Sequence, residues 1–248
     1  MEINERLDEV NDRLRLIQRT DGLTFGTDAL LLAAFIRGNP RARAIEFGTG
    51  SGIISLFVAA RRKAAHILAI EAQEEYAALA TRNVAENSLL KEISVVHADV
   101  RDIAAYGGDG ADILFTNPPY MTVGGGYPNA TQRKNIARHE VLGGIADFCS
   151  AAARKLRFGG RFFCVYRPDR ITDLLTEMRR AGIEPKRLTV VTASRDTTPS
   201  LLLVEGRRGG SSGLTFTPPL QLYKDSSHTA YSEEMEYILE HGSFREMR

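Results

Sequence analysis

Strand-like and helix-like segments alternate along most of this chain, and this alternation restricts the fold more than any other feature of the sequence. From residue 42 onward, β-rich apolar runs are separated by segments whose apolar residues recur at helical spacing. This pattern predicts βαβ units and a mainly parallel sheet covered on both faces. Because crossovers between parallel strands are right-handed, the sheet should be doubly wound. The predicted strands are residues 42–47, 66–71, 93–98, 111–116, 161–167, 186–192 and 200–205, and the predicted helices are residues 52–62, 73–87, 145–156 and 169–181.

The last two predicted strands are joined by the short stretch 193–199, which contains no helix. A parallel crossover needs about a dozen residues or more, so the last strand should be antiparallel. The prediction is an α/β fold with a seven-stranded, Rossmann-like sheet. We expect residues 1–41 to form a short helical N-terminal cover, residues 42–206 the core, and residues 207–248 a C-terminal extension packed on it. Ser232 is a candidate N-cap for a helix at 233–240.

The composition is that of an ordinary globular protein. Hydrophobic residues make up 43% and charged residues 25% of the 248 residues, which excludes global disorder. The formal net charge is only +1, so any RNA-binding surface must be a local patch. Cys149 and Cys164 lie on apolar stretches without metal-ligand spacing, and we expect buried thiols and no metal site. The charged N-terminus and the absence of an apolar run of roughly 20 residues predict a cytoplasmic protein without membrane spans.

The first strand of the core runs into the sequence EFGTGSG, and a helix follows directly. Gly48, Gly50 and Gly52 let the backbone approach a ligand closely and adopt positive φ. The second strand ends in Glu71, whose carboxylate could accept hydrogen bonds from the two hydroxyls of a ribose. These features predict an adenosine-type cofactor, either a dinucleotide or S-adenosylmethionine. A tight turn without a ligand is the alternative interpretation.

Two details favour the methyl donor over a dinucleotide. The glycine spacing is G-x-G-x-G rather than G-x-G-x-x-G. Glu46 also places a carboxylate where a pyrophosphate would be repelled and a cationic methionine group attracted. Asp99, after the third strand, could accept a hydrogen bond from the adenine amino group or could cap a helix at 100–105. The neighbouring predicted cofactor contacts are Phe47, Thr49, Ala72 and Val100.

The fourth strand ends in Asn117, Pro118, Pro119 and Tyr120, at the sheet edge where open α/β folds bind their ligands. An aromatic amine is a poor nucleophile because its lone pair is delocalised into the ring. The Asn117 side-chain oxygen and the Pro118 carbonyl could each accept one N–H, which would favour a pyramidal nitrogen able to attack a sulfonium methyl. Tyr120 could stack on the target ring. Without the cofactor loop, a proline-rich turn would be the preferred interpretation.

The combination of these motifs resembles the methyltransferases that modify exocyclic adenine amines or glutamine side-chain amides. Within them, the chain resembles the bacterial family that N6-methylates the adenine beside the anticodon of valine tRNA. The similar segments are residues 5–8, 16–18, 25–31, 46–52, 117–120 and 136–140. The resemblance implies a class I methyltransferase fold, with Thr27 and Asp28 closing over the cofactor and Asn117 beside it.

The resemblance makes tRNA or another structured RNA the expected substrate. Arg133, Lys134 and Arg138 follow the catalytic tetrapeptide and could contact phosphates near the target base. The main alternative is a protein glutamine N5-methyltransferase acting on a release factor, although such enzymes usually carry a longer helical N-terminal domain. DNA adenine methylation, a nucleotide-binding oxidoreductase and a non-catalytic adaptor are further alternatives. Cofactor binding and the identity of the methyl acceptor distinguish them.

Overall fold

The computed structural model describes residues 4–20, 25–118 and 143–245. Its strands, in chain order, are β1 (Glu5–Asn11), β2 (Leu14–Arg19), β3 (Arg43–Phe47), β4 (His66–Glu71), β5 (Ile93–His97), β6 (Ala111–Thr116), β7 (Leu156–Tyr166), β8 (Ile183–Thr192), β9 (Pro199–Arg208), β10 (Thr215–Phe216) and β11 (Leu220–Gln221). Its helices are α1 (Thr27–Phe35), α2 (Ile53–Ala60), α3 (Glu74–Glu86), α4 (Ile145–Lys155), α5 (Ile171–Arg180) and α6 (Glu233–His241). A 3₁₀ turn, Pro168–Arg170, precedes α5.

The central sheet has nine strands, ordered β10-β8-β9-β7-β6-β3-β4-β5, with β11 also paired to β8. All neighbouring strands are parallel except β9, which is antiparallel to both β7 and β8. The seven predicted strands and the antiparallel orientation of the seventh are therefore confirmed. The C-terminal segment adds β10 and β11, which the sequence analysis did not predict.

Both faces of the sheet are buried, as the predicted double winding requires. Along β6, Ile113 and Phe115 face the hydrophobic cluster that contains α1 and α2, while Leu114 faces the cluster that contains α4 and α5. A strand buried on both faces has little need for polar alternation, which explains the continuous apolar run in β6. Within the described residues, no helix is both long enough and apolar enough to cross a bilayer.

The prediction of a helical N-terminal cover is wrong for its first half. β1 and β2 form an antiparallel hairpin, and α1 is the one helix among the residues before 42 that the structure describes. The turn is stabilised by Asn11, whose side-chain oxygen accepts hydrogen bonds from the backbone N–H groups of Arg13 and Leu14. In β2, Leu14 and Leu16 point inward while Arg15 points outward, which is the period of two expected for a strand. In the sequence this period is hard to recognise because β1 is densely charged.

Two asparagines, one in α3 and one at its C-cap, hold the hairpin against the core. The side chain of Asn83 bonds both the N–H and the carbonyl of Ile17, at 2.7 and 3.0 Å, and also donates to the carbonyl of Ser51 at 2.9 Å. One turn later, Asn87 makes the same pair of bonds to Arg15, at 2.9 and 2.7 Å. The asparagine amides therefore replace a neighbouring strand along β2 and satisfy its backbone groups.

Two cations, the half-buried Lys63 and the buried Arg187, hold the C-terminal end of α1. Lys63 Nζ donates to the carbonyls of Ala33 and Ala34, at 2.6 and 3.0 Å. Arg187 donates to the carbonyl of Phe35 at 2.8 Å and lies over the ring of that residue. Positive charge at a helix C-terminus is stabilising because the last carbonyls carry partial negative charge. These contacts position α1, whose other end reaches the candidate site.

The C-terminal segment packs on the core through α6. Ser232 caps this helix as predicted, since its hydroxyl oxygen accepts the N–H of Met235 at 3.1 Å. Met235 and Ile238 are buried in the same cluster as α1 and α2. At the far end, Arg61 donates to the carbonyl of Glu240 at 2.9 Å, and Gly242 ends the helix in the left-handed conformation.

We predict that Asn83→Ala lowers the free energy of unfolding by about 2–4 kcal/mol, because it leaves buried backbone groups without partners. Asn87→Ala is the matched control: it removes the same pair of bonds to β2, but at a solvent-exposed position. Its cost should be about 1 kcal/mol. Urea denaturation of both variants measures the difference. Equal costs for the two substitutions would contradict this account of hairpin docking.

Candidate active site

Four parallel strands end side by side at one edge of the sheet, and their ends carry most of the residues singled out in the sequence. Phe47 is in register with Thr116 on one side and with Ile70 on the other, while Glu71 is in register with His97. The Thr116 hydroxyl also donates to the carbonyl of Phe47 at 2.9 Å, which ties the ends of β3 and β6 together. The glycine loop, the end of β4, the end of β5 and the start of the tetrapeptide therefore lie along a common edge.

The loop between β3 and α2 depends on glycine. Gly48, Gly50 and Gly52 have φ values of 67°, 56° and 87°, in the left-handed region that side chains disfavour. A Cβ added to Gly50 would meet none of the described atoms within 4 Å, so the backbone there is open to close approach by a ligand. A Cβ on Gly52 would lie 3.4 Å from the Cβ of Ala80, because α2 begins against α3.

Glu46 is fully buried beneath this loop. Its Oε2 accepts hydrogen bonds from the hydroxyls of Thr49, at 2.6 Å, and Ser55. The backbone N–H of Ser55 also donates to the carboxylate, so the buried Glu46 satisfies a backbone donor in the first turn of α2. Burial raises the pKa of Glu46 to about 7, and the hydrogen bonds only partly offset this rise. Among the described residues, Oε1 has no hydrogen-bond partner.

Glu71 supports the glycine loop from the end of β4. Its two carboxylate oxygens accept the backbone N–H groups of Gly50, at 2.8 Å, and Gln73, at 2.9 Å. The carboxylate is therefore fixed beside Gly50 by hydrogen bonds to both of its oxygens. Each oxygen of a carboxylate has a second lone pair, so both can accept a further hydrogen bond from a ligand.

Asp99 lies at the end of the neighbouring strand in a turn rather than at the start of a helix. Residues 100–105 form turns, and the Asp99 side chain accepts the N–H of Arg101 at 2.8 Å. The guanidinium of Arg101 pairs with the same carboxylate, and these hydrogen bonds hold the pKa of Asp99 below its ordinary value. The helix-cap interpretation is therefore wrong.

The central contact of the site joins the tetrapeptide to the N-terminal segment. Asn117 Nδ2 donates to Asp28 Oδ2 at 2.7 Å, between residues 89 positions apart in the chain. Because the amide is planar, this bond fixes its orientation: the NH₂ group faces Asp28 and the oxygen Oδ1 faces away from it. The acceptor oxygen that the sequence analysis assigned to catalysis is thereby held in a defined direction.

Asp28 itself is held at the start of α1 by its neighbours. Gly26 is the N-cap residue of α1, and a Cβ there would lie 2.7 Å from Asp28 Oδ1. The buried side-chain oxygen of Gln18 accepts the N–H of Phe25 at 3.0 Å, which fixes the chain just before the helix. Phe25 also packs edge-to-face on Phe57 of α2, with ring centroids 6.5 Å apart.

The other predicted cofactor residues occupy varied positions. The side chains of Phe47 and Val100 are buried in the core, so these residues can offer a ligand only backbone groups. Thr27 is exposed and Ala72 half-buried. Pro118 is buried directly after Asn117. Five predicted catalytic or RNA-contacting residues lie outside the described residues: Pro119, Tyr120, Arg133, Lys134 and Arg138.

Sequence reasoning missed Ser55, Gln18 and Gly26, which act by positioning other residues. Ser55 stands outside the motifs, and Gln18, although it lies in the similar segment 16–18, gives no sign of its role, because the partners of both are fixed only by packing. Gly26 did have a signal, since a glycine immediately before a helix leaves room for a side chain to fold back. Within the described residues, no group of three His, Cys, Asp or Glu side chains could hold a metal ion.

We predict that Gly26→Ala displaces the Asp28 carboxylate and breaks its bond to Asn117, while the free energy of unfolding changes by less than about 1 kcal/mol. The Gly26 backbone, with φ −108° and ψ 178°, suits alanine, so only the side-chain clash remains. Gly144→Ala is the matched control, because Gly144 is an N-cap with nearly the same backbone and no described atom within 4 Å of its Cβ. The NMR signals of the Asn117 side-chain amide should shift in the first variant alone. Unchanged signals there would contradict this geometry.

Comparison with known proteins gives consistent findings. The tRNA1(Val) (adenine(37)-N6)-methyltransferase of Escherichia coli O157:H7 is 32% identical over 154 residues, which cover 62% of each chain. The protein of the same name from Pedobacter heparinus is 29% identical over 143 residues, covering 58% of this chain and 59% of that protein. The chain thus spans about three fifths of the length of the curated relatives that it matches. The sequence resemblance stated above is confirmed.

Solved structures share the fold at low sequence identity. A predicted O-methyltransferase from Agrobacterium tumefaciens aligns with a TM-score of 0.70 and 22% identity, over 88% of this chain and 100% of that one. TYW2 from Pyrococcus horikoshii, solved in complex with MeSAdo, aligns with a TM-score of 0.59 and 13% identity, over 84% of this chain and 73% of that one. The family model described as the methyltransferase small domain matches residues 20–178, from the end of the hairpin into α5. With its glycine loop, strand-end acids and Asn117 all inside that match, the chain belongs to the methyltransferase small domain family.

Proposed function

We propose that this protein transfers a methyl group from S-adenosylmethionine to the exocyclic N6 of an adenine in RNA, with the adenine beside the anticodon of a tRNA as its substrate. The observation that carries the proposal is the hydrogen bond between Asn117 and Asp28, which orients an amide oxygen at the carboxyl end of β6 beside the glycine loop. The relatives named tRNA1(Val) adenine(37)-N6-methyltransferases support the choice of substrate. A tRNA substrate would place the enzyme in the cytoplasm.

The residues at the strand ends suit S-adenosylmethionine, which would supply a methyl group activated by its sulfonium. Oε1 of Glu46 is buried and has no partner within the part of the chain that the structure describes, so it can accept a hydrogen bond from a cationic amino group. The fixed carboxylate of Glu71 can accept hydrogen bonds from ribose hydroxyls. The backbone at Gly50 is open, which leaves space for the cofactor to lie close to the chain between the carboxylates of Glu46 and Glu71. A pyrophosphate would instead meet two acidic groups, which disfavours a dinucleotide.

The chain's own contribution to the chemistry lies in orienting the amine. Asn117 Oδ1, directed away from Asp28, can accept one N–H of the target amino group, and the Pro118 carbonyl can accept the other. Both bonds strengthen as the nitrogen becomes pyramidal and more positive, so they stabilise the transition state more than the ground state. Asp28 acts as a positioning residue, because it bonds the opposite end of the amide. No general base is required before attack, since the amine proton is lost only afterwards.

The proposed function is tested with labelled S-adenosylmethionine and unmodified tRNA, followed by nucleoside mass spectrometry. The wild-type protein should form N6-methyladenosine. Asn117→Ala should lower the turnover number on the order of 10²–10³-fold while its cofactor affinity stays within a few-fold of wild type. Asp28→Ala should also lower turnover, and Asp28→Asn should lower it less, because asparagine keeps an oxygen acceptor for the Asn117 amide.

Two results would contradict this assignment. Methyl transfer to a glutamine of a release factor, and to no RNA, would favour the alternative substrate class. Near-wild-type turnover by Asn117→Ala would show that the amide does not orient the reacting amine.

We further predict that cofactor binding releases a proton from Glu46. Below pH 7 the buried carboxyl is mainly protonated in the free protein, because burial raises its pKa to about 7. A cationic amino group beside Oε1 would favour the ionised form and lower that pKa. Affinity for S-adenosylmethionine should therefore rise as the pH increases towards 7, by up to about tenfold per pH unit, and change little above it.

Calorimetry in buffers of different ionisation enthalpy counts the released protons. Glu46→Gln is the control, since glutamine has a similar shape and cannot release a proton. Equal proton release by the variant and the wild type would assign the titration to another group and contradict the placement of the cofactor amine.

A further inference from the structure

Three aromatic rings form an exposed stack in the C-terminal segment, outside the site described above. The ring of Tyr223 lies nearly parallel to that of His228, at 4.7 Å and 22°, and to that of Tyr231, at 5.3 Å and 16°. Tyr223 is therefore the ring that both of the others stack on.

The loop that carries the stack is held to the end of the sheet. Tyr223 and Tyr231 form an antiparallel bridge, and Lys224 donates to the carbonyl of Ala230 at 3.0 Å. The Tyr223 N–H donates to the carbonyl of Ala193, the residue that follows β8, at 2.9 Å. The rings therefore rest on a defined backbone rather than on a free tail.

The stack lies at the same edge of the sheet as Asn117. β8 and β7 are both antiparallel to β9, so β8 runs parallel to the core strands, and β11 is parallel to β8. The ends of β6 and β11 are separated by four strand spacings, through β7, β9 and β8. At about 4.8 Å per spacing, the loop that follows β11 lies about 19 Å from Asn117 across the strands. The register places the end of β11 further along the strand direction as well, because Thr116 is level with Leu188 whereas Gln221 pairs with Thr192. At least six stacked nucleotides, at about 3.4 Å each, are needed to span this distance.

Two of the three rings belong to exposed residues. Tyr231 is 39% exposed, and His228 is exposed as well. His228 has a φ of 55° and closes a turn by donating its N–H to the carbonyl of Asp225, a left-handed conformation that histidine adopts more readily than most residues. Both rings are therefore accessible from solvent on a turn of defined conformation.

The charges near the stack favour contact with bases over contact with phosphates. Lys224 lies 3.7 Å from Glu236, and the first turn of α6 adds Glu233 and Glu234, so the immediate surroundings are not basic. Between the stack and Asn117, the same edge carries two arginines: Arg195 is exposed in the turn after β8, and Arg167, which follows β7, pairs with Asp169 at 2.9 Å. Proteins that bind single-stranded nucleic acids combine cations that follow the phosphate backbone with aromatic rings on which bases stack. This edge of the sheet carries both kinds of group.

We propose that the stack formed by His228, Tyr223 and Tyr231 binds an unpaired base of the RNA substrate by stacking, six or more stacked nucleotides from the adenine that enters the Asn117 site. This inference rests on the proposed function, because it extends the same RNA along the carboxyl edge of the sheet. It assigns to the C-terminal segment the recognition of RNA outside the methylated nucleotide.

The test compares two RNA substrates: an unmodified anticodon stem–loop, which reaches both positions, and a trinucleotide with a central adenosine, which reaches only the Asn117 site. Tyr231→Leu removes the π-face and keeps apolar bulk, whereas Tyr231→Phe keeps the π-face. Tyr237→Leu is the matched control, because Tyr237 stacks on His241 in the same C-terminal segment, at 4.0 Å, but outside the proposed platform.

Tyr231→Leu should raise the KM for the stem–loop about tenfold, a typical loss for one stacked base, and leave trinucleotide kinetics unchanged. Tyr231→Phe and Tyr237→Leu should behave as wild type with both substrates. His228→Gly, which relieves the positive φ, should weaken stem–loop binding without lowering the melting temperature by more than a few degrees.

Equal effects of Tyr231→Leu on both RNAs would indicate a structural role and overturn the platform, as would no effect on either. In both cases methylation of the stem–loop by the wild-type protein would leave the proposed function standing. If the wild type methylates neither RNA and instead modifies a protein glutamine, the proposed function fails, and the RNA platform fails with it.

Discussion

The buried carboxylate of Glu46 is the interaction on which the cofactor side of the structure depends. Through one oxygen it joins the end of β3, the glycine loop at Thr49 and the first turn of α2 at Ser55. Burying a carboxylate is costly, and the raised pKa shows that three hydrogen bonds do not fully offset the loss of hydration. Among the described residues, the second oxygen has no hydrogen-bond partner. A positively charged group beside that oxygen would favour the ionised carboxylate, which is the basis of the proposed link between cofactor affinity and the protonation of Glu46.

The acceptor side of the site depends on a second long-range contact, between Asp28 and Asn117. Asp28 is positioned by α1. The hydrogen bond between Gln18 of the hairpin and Phe25 fixes the chain just before that helix. Asn83 then connects the hairpin to the glycine loop, because one amide bonds both Ile17 and Ser51. The two halves of the site are thus joined by buried polar side chains, whose geometry is stricter than that of apolar packing.

The position of β9 lengthens the edge of the sheet at which the parallel strands end. Because β9 is antiparallel and lies between β7 and β8, the strands on either side of it point the same way, and the C-terminal segment adds its short strands in that direction as well. The edge therefore continues beyond β6, the strand that ends next to Asn117, to Tyr223. A long edge with arginines and stacked rings suits a polymeric substrate, whereas the glycine loop requires only a small molecule. The two kinds of surface lie on the same sheet, at different positions along one edge.

The sequence by itself determined the elements whose signals are local. Periodicity located the core strands and helices, the short connection at 193–199 predicted the antiparallel strand, and the motifs at 46–52 and 117–120 predicted the chemistry. The hairpin was missed because the charges of β1 hide its period of two, and because its outer edge is satisfied by Asn83 and Asn87 of a distant helix. The orientation of the Asn117 amide, the unpartnered oxygen of Glu46 and the stack at Tyr223 were decided only by the tertiary structure. Each depends on which side chains meet after strands far apart in the chain are brought into register, and neither local propensity nor residue spacing contains that information.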